Sequence, residues 1–299
     1  ATTILLLTAG LSMLQPLSTD LYLSTLPGIA TYFNASVASV QSTLWMFIAV
    51  FGIWQLIAGP LSDRFGRYPI VVAGAFTYCA ASLLAAIAPS LEVLVVGRVL
   101  QAVGACTCLV GARGFVRDLY SPTEGARMIA NAATIMSLAP LIGPLIGATL
   151  YVRFGWRSSF AVLATFSLPL AVLATRKLRE TNARRNPSAL RLAPMLRTYA
   201  SVARSRAFRA YTLSAAATYA SLFAFLSGSS FVFINVLGQT PIIYALSFAT
   251  MVVGYLIGTV ICRRLLPIYG IQRTVCAGAS LQAAAGMTMA ALALGGVHV

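Results

Sequence analysis

The sequence predicts an all-α integral membrane fold, and three observations support this prediction. Hydrophobic residues make up 59% of the 299-residue chain, charged residues make up 9%, and the mean hydropathy is +0.85. Soluble domains carry about 25% charged residues, so a water-soluble fold of this size would lack the polar surface needed to cover it. The apolar residues also lie in long unbroken runs, whereas membrane barrels show short segments of alternating residues.

Nine runs are long enough to cross a bilayer, which takes about 20 apolar residues in a helix. The predicted spans are residues 4–27, 43–62, 70–88, 91–112, 127–150, 157–176, 208–235, 242–262 and 274–296. They divide the chain into a six-helix N-terminal half (1–176), a basic linker (177–207) and the first three helices of a second half (208–299). We expect the linker to be an interfacial, membrane-anchoring segment rather than a specific partner site.

A short internal repeat supports the two halves. The stretch "FGRYPIVVAGA" at 65–75 aligns without gaps to "YGIQRTVCAGA" at 269–279, and Gly66 matches Gly270. Parallel repeats of this kind, related by an axis along the membrane normal, are one of the transporter architectures. If the repeat is real, three C-terminal helices are missing, and we expect the chain to be a fragment.

The basic residues alternate between connections, which predicts the orientation. The net charge is +15, and 20 of the 21 basic residues are arginines, most of them in short stretches between spans. This is the pattern of loops that set topology rather than of a nucleic-acid groove, and it places the N-terminus in the cytoplasm. The five cysteines lie within or at the end of apolar spans, so we expect no metal or other cofactor.

Two charged side chains lie within predicted spans at matching depths. Asp20 is about seven residues before Pro27, and Arg98 is seven residues after Leu91. At about 1.5 Å per residue, both lie about 10 Å inside the outer boundary. Such residues mark function by default, although Arg98 has the alternative of reaching back to the outer interface. We expect Asp20 and Arg98 to form a pair in which the carboxylate loads and releases a proton.

A second cluster is the predicted connection "GPLSDRFGRYP" at 59–69. Its glycines permit a tight turn, and its carboxylate can cap or pair with the neighbouring helix ends. The residues of interest are Gly59, Asp63, Arg64, Gly66 and Arg67.

The fifth span contains "SLAPLIGPLIGATL" at 137–150. Gly143 and Gly147 form a G-x-x-x-G face suited to close helix contact, and Pro140 and Pro144 bend or weaken the helix there.

These segments resemble motifs of the major facilitator superfamily. The loop at 59–69 resembles its signature G-x-L-x-D-R-x-G-R, although Tyr68 replaces a basic residue. The stretch "GRVLQAVGACTCL" resembles R-x-x-Q-G-x-G, with Ala102 in place of the first Gly. The fifth span resembles the antiporter motif G-x-x-x-G-P-x-x-G-G, with Ala139 and Ala148 in place of Gly. The segment "STDLYLSTLP" further resembles the Bcr/CflA-type drug:proton antiporter group, with Ser24 in place of its first Pro.

The resemblance implies a proton-coupled exporter of amphiphilic drugs, which works by alternating access in the bacterial inner membrane. It implies that Asp20 and Arg98 serve proton coupling, and that Asp63 gates the cytoplasmic side by interacting with the end of the fourth helix near Arg113. The partners would be the drug, protons and membrane lipids, and the protein would act as a monomer. The alternative is an importer or symporter of a small metabolite; an enzyme is disfavoured because no catalytic constellation is present.

Aromatic, amide and methionine side chains within the spans are candidates for a substrate cavity, since they suit loose binding of apolar molecules. The alternative for each is a place in the core or facing lipid. The candidates are Tyr22, Trp45, Gln55, Gln101, Asn131, Met136, Tyr219 and Phe223.

Overall fold

The computed structural model describes residues 2–136, 139–182 and 185–294, and every regular element in these ranges is helical. The helices are α1 (Thr2–Leu23), α2 (Leu26–Phe33), α3 (Val37–Phe65), α4 (Arg67–Ala86), α5 (Leu91–Leu119), α6 (Pro122–Met136), α7 (Ala139–Phe154), α8 (Arg157–Lys177), α9 (Leu192–Ala203), α10 (Arg206–Phe231) and α11 (Pro241–Leu294), and a π-helix covers Val232–Val236. The predicted all-α fold is confirmed.

Eight segments within the described ranges are long and apolar enough to cross a membrane. They are Ile4–Leu23, Val37–Phe65, Arg67–Ala86, Leu91–Leu119, Arg127–Phe154 (which includes the undescribed residues 137 and 138), Arg157–Lys177, Arg206–Val236 and Pro241–Cys262. The ninth predicted span, 274–296, is helical up to Leu294 but is not among these eight, and its last two residues lie outside the described part. A ninth span therefore stays a prediction.

Two predicted boundaries change. The first span ends at Leu23 instead of residue 27, because Thr25 forms a turn to the Tyr22 carbonyl and α2 begins at Leu26, with Pro27 in its first turn. The tight connection predicted at 59–69 is also shorter. Helix α3 continues through Pro60 to Phe65, and the chain breaks only at Gly66, whose φ of 107° favours glycine.

The repeat reappears in the backbone conformation. Gly270, the sequence partner of Gly66, has φ 75° and interrupts α11 as Gly66 separates α3 from α4. A positive φ at both matched positions agrees with the predicted internal repeat.

Helix α1 lies at the centre of the N-terminal half, where it contacts α5, α6, α7 and α8. Small residues bring the helices close: a Cβ on Gly104 of α5 would lie 2.6 Å from the backbone nitrogen of Tyr78 in α4. Close backbone approach of this kind is how membrane helices gain packing energy. Helix α7 also contacts α11, so the two halves meet on the side of α1 that carries α7.

The connections collect at two ends of the bundle. At one end, Arg67 at the start of α4 donates to Asp118 near the end of α5 and to Glu180 in the segment after α8. At the other end, Arg157 donates to the Ala88 carbonyl (2.9 Å) and to the Tyr32 hydroxyl (3.2 Å). The α3–α4 connection, the end of α5 and the segment after α8 thus share one end, while the orientation of that end stays a prediction.

Candidate functional site

Arg98 is fully buried at the centre of the N-terminal half. Its guanidinium carbon lies 4.7 Å from the ring centre of Tyr22 and 4.3 Å from that of Phe47, which is cation–π geometry. Its Nη1 donates to the Ser18 carbonyl and to Gln101 Oε1, both at 3.0 Å. Its Nη2 has no hydrogen-bond partner within the described residues. The aromatic faces and carbonyl oxygens partly compensate the buried charge of Arg98, which pairs with no carboxylate among the described residues.

The groups around Arg98 form a continuous buried network. Gln101 donates from Nε2 to Ser82 Oγ (2.8 Å), and Ser82 donates to the Tyr78 carbonyl. The Tyr22 hydroxyl hydrogen-bonds the Thr43 hydroxyl on α3. Tyr22 and Gln101 are fully buried supports of Arg98 here, rather than walls of an open cavity as predicted. Shared hydrogen bonds of this kind fix side-chain geometry in a low-dielectric interior.

Asp20 lies on a different side of α1, at the contact with α7. Its side chain is 6% exposed, and Oδ2 has no hydrogen-bond partner in the described chain. A Cβ on Gly143 would lie 2.7 Å from the Asp20 Cβ, and a Cβ on Gly147 would press on the Leu21 backbone. The predicted G-x-x-x-G face of α7 therefore rests on α1 at Asp20.

The expected Asp20–Arg98 pair is wrong for this structure. No ion pair joins the two side chains among the described residues. Arg98 contacts α1 at Ser18 and Tyr22, which are four residues apart and so share a face. Asp20 is two residues from each, or about 200° around the helix. Distance along the sequence gives the depth of each charge in its helix but not its angular position around the helix axis.

A polar network joins the helix ends around Gly66. Arg67 Nη1 lies 2.8 Å from Asp63 Oδ1 and donates to Ser62 Oγ, and its Nε donates to Asp118 Oδ2 at 3.1 Å. The Arg67 N–H donates to Glu180 Oε1 at 3.0 Å. One arginine thereby ties α3 and α4 to the end of α5 and to the segment after α8.

The predicted partner of Asp63 needs correction. Asp63 was expected to interact with the end of the fourth span near Arg113, but Arg113 is exposed and takes no part in the described network. Asp63 reaches that helix through Arg67, and the acceptor there is Asp118. Asp118 and Glu180 were missed, although their scarcity was a signal because the chain has only six acidic residues. Arg64 projects over the Phe65 ring, and Gly59 lies in α3, where an added Cβ would meet nothing within 4 Å.

The other cavity candidates are not brought into one enclosed site. Trp45 (54% exposed) lies in a shallow groove of about 490 Å³ beside Glu92, and Tyr219 (59% exposed) stacks on Phe223. Gln55 and Asn131 are exposed, and Met136 and Pro140 are half-buried. Their cavity role stays a prediction. Within the described residues, no group of three metal-ligating side chains comes together.

The helix content, the repeat and the buried charges define a class: a polytopic α-helical membrane protein with the repeat architecture found among transporters. The profile of the Major Facilitator Superfamily matches residues 8–298. The chain belongs to this family, whose fold is that of transporters rather than of enzymes.

Two curated relatives carry names from antibiotic resistance. The chain is 32% identical over 271 residues to a chloramphenicol resistance protein of Pseudomonas aeruginosa. The aligned region covers 90% of this chain and 63% of the relative. It is 28% identical over 295 residues to a bicyclomycin resistance protein homolog of Haemophilus influenzae, covering 98% of this chain and 74% of the relative. These names agree with the predicted drug-efflux group.

The fold is confirmed by a solved structure, that of a bacterial homolog to the human lysosomal transporter Spinster. It superposes with a TM-score of 0.74 at 18% identity, over 91% of this chain and 62% of that one. The chain thus spans less than two thirds of the length of several proteins that it matches.

Proposed function

We propose that this chain belongs to a proton-coupled exporter that expels amphiphilic drugs from bacteria by alternating access. The observation that carries the proposal is Asp20, a buried carboxyl with an unpartnered oxygen at the contact between α1 and α7. Intramembrane carboxyls that face the bundle interior mark ion and proton pathways.

The geometry supports a reversible proton site. A buried carboxylate without a cation or donor is costly, so its charge must be balanced when it forms. Proton binding at Asp20 removes the charge, whereas opening the contact between α1 and α7 would admit water to it. A proton that moves inward down the membrane potential releases about 2.3 kcal/mol of free energy per 100 mV, and this free energy can drive export of a neutral drug. Proton binding and drug binding would favour different access states.

Arg98 serves this site indirectly. It is held by Tyr22 and Phe47 on the opposite side of α1 from Asp20, so its positive charge acts through the helix rather than by contact. We assign to Arg98 the positioning of α1, and through it of Asp20.

The class of substrate rests on the relatives' names and on composition. Bicyclomycin and chloramphenicol resistance are named for proteins that match 98% and 90% of this chain. The importer or symporter is the second candidate, and the family fold alone does not separate the two. We further propose location in the bacterial inner membrane with a cytoplasmic N-terminus, a monomeric state, and lipids as the surrounding partner.

A susceptibility panel tests the proposal. The gene is expressed in a bacterial host that lacks its own pumps. Resistance to chloramphenicol and bicyclomycin is measured, together with the accumulation of each drug in the cells with and without a protonophore. We expect reduced drug accumulation that the protonophore reverses. Drug accumulation equal to that of cells with an empty vector would contradict export, and a protonophore-insensitive reduction would contradict proton coupling.

A further inference from the structure

The first residues of the linker fill a gap that the Gly66 break leaves between α3 and α4. A helix end has backbone groups without intrahelical partners: carbonyls at the end of α3 and N–H groups at the start of α4. Asn182 Nδ2 (3.1 Å) and Asn186 N (3.0 Å) both donate to the Asp63 carbonyl in the last turn of α3. The linker thus satisfies an orphan acceptor of α3.

The same segment caps α4. Glu180 Oε1 accepts from the N–H of Arg67, the first residue of α4, and from the N–H of Asn182 at 2.9 Å. A carboxylate at a helix N-terminus is stabilised by the helix dipole. Glu180 Oε2 lies 3.6 Å from Arg185 Nη2, so an ion pair within the linker holds the carboxylate in place. We call residues 180–182, 185 and 186 the clasp.

The close fit at Gly66 shows that the clasp has a built position. A Cβ on Gly66 would meet the Glu180 carboxylate, with the Glu180 Cδ at 2.8 Å. Glycine at this position therefore serves two purposes: it adopts φ 107°, and it leaves room for the carboxylate.

The positions of the acidic residues also support a docked clasp. Three of the six acidic residues in a chain with net charge +15 (Asp63, Asp118 and Glu180) surround Arg67. Thr181 Oγ1 also donates to Asp118 Oδ2 at 3.3 Å, so the clasp contacts the carboxylate of Asp118 and the backbone carbonyl of Asp63. A loose membrane-anchoring linker has no need of these contacts.

We propose that Glu180 is a positioning residue of the cytoplasmic gate: it fixes the start of α4 so that Arg67 pairs with both Asp63 and Asp118. The clasp then holds one access state until the linker detaches. The gating part of this inference rests on the proposed transport function, while the docking of the clasp does not.

Variants at Glu180 separate charge from hydrogen bonding. Glu180→Ala removes both, Glu180→Gln keeps an acceptor oxygen, and Glu180→Asp keeps the charge. Glu124→Ala is the matched control, because Glu124 is an exposed carboxylate that accepts from Ser121 (2.7 Å) at the start of α6 and has no hydrogen bond or ion pair to Arg67 among the described residues. Circular dichroism and size-exclusion chromatography of each variant check that the fold is retained.

Limited trypsin digestion in inside-out vesicles measures docking directly, since Arg179 directly precedes the clasp and Arg185 lies within it. Charge-assisted hydrogen bonds are among the stronger ones. We therefore expect roughly tenfold faster cleavage in the linker for Glu180→Ala, a smaller increase for Glu180→Gln, and none for Glu124→Ala. Equal cleavage of Glu180→Ala and the unmodified chain would overturn the docked clasp.

Transport of chloramphenicol in the same vesicles tests the gate. We expect Glu180→Ala to lower kcat several-fold at unchanged KM, because Glu180 holds the gate and does not touch the drug, and Glu180→Asp to restore much of it. Faster cleavage with unaltered kcat would overturn the positioning role and leave docking intact. If the unmodified chain moves no drug, the proposed function fails, while the digestion result still decides the clasp.

Discussion

Replacing Gly147 with alanine tests the contact between α1 and α7 that encloses Asp20. The new Cβ would press on the Leu21 carbonyl oxygen and lie 2.9 Å from the Leu21 Cα and carbonyl carbon, where ordinary contacts begin near 3.4 Å. These are backbone atoms of α1, so no side-chain rotation relieves the overlap. Helix α7 must move away from α1 by a few tenths of an ångström or more.

Overpacking of this kind costs about 1–3 kcal/mol. Since every 1.4 kcal/mol is tenfold in an equilibrium constant, Gly147→Ala should shift the folding equilibrium by roughly five- to 150-fold. Gly143→Ala should cost less, because its Cβ meets only the Cβ of Asp20 at 2.7 Å. The matched control is Gly258→Ala in α11, where a Cβ meets nothing within 4 Å. Alanine there should be neutral or stabilising, because glycine weakens a helix interior by roughly 0.5–1 kcal/mol.

Thermal unfolding of the purified chain in detergent, followed by a thiol-reactive dye on the buried cysteines, is the assay. We expect the midpoint temperature to fall in the order Gly258→Ala, Gly143→Ala, Gly147→Ala. A Gly147→Ala midpoint equal to that of Gly258→Ala would refute the close contact and the enclosure of Asp20 that depends on it.

Two further outcomes are expected. Arg67→Lys keeps one positive charge but loses the separate nitrogens that reach Asp63 and Asp118, so the transport rate should fall several-fold. Arg64→Lys, outside the network, should change the rate little. Equal transport rates for the two variants would contradict the gate. Arg98→Lys loses the planar contact between two rings and a buried donor, which should destabilise the chain by about 1–3 kcal/mol in thermal unfolding; a midpoint equal to that of the unmodified chain would contradict the cage.

The fold class and most spans could be predicted from the sequence because hydropathy and span length report the bilayer directly. Boundaries at short breaks could not. The connection was predicted to begin at Gly59, yet α3 continues through Pro60 to Phe65, because a membrane helix tolerates proline where neighbouring helices compensate. Gly66 alone has the backbone conformation that separates α3 from α4.

The candidate site could be predicted as a set of residues but not as an arrangement. Sequence spacing gave Asp20 and Arg98 the same depth, while their faces on α1 depend on which neighbouring helix packs where. The motif glycines Gly143 and Gly147 could be predicted as a close contact, and the structure supplies its partner, α1 at Asp20.

The long-range contacts at the helix ends could not be predicted from the sequence. Glu180 meets Arg67 from 113 residues away, whereas the linker was predicted to be a membrane-anchoring segment rather than a specific partner site. The small number of acidic residues was the one usable signal, since a carboxylate in so basic a chain is expected to pair with an arginine.

The most direct test of the central claim uses Asp20→Asn in proteoliposomes with chloramphenicol. Two modes are measured: accumulation driven by an imposed proton gradient, and exchange of labelled for unlabelled drug without a gradient. We predict that Asp20→Asn abolishes the first and retains the second, because an amide neither takes up nor releases the proton but leaves the helices free to exchange access states. Gradient-driven accumulation by Asp20→Asn at the rate of the unmodified chain would contradict the claim that Asp20 is the proton site.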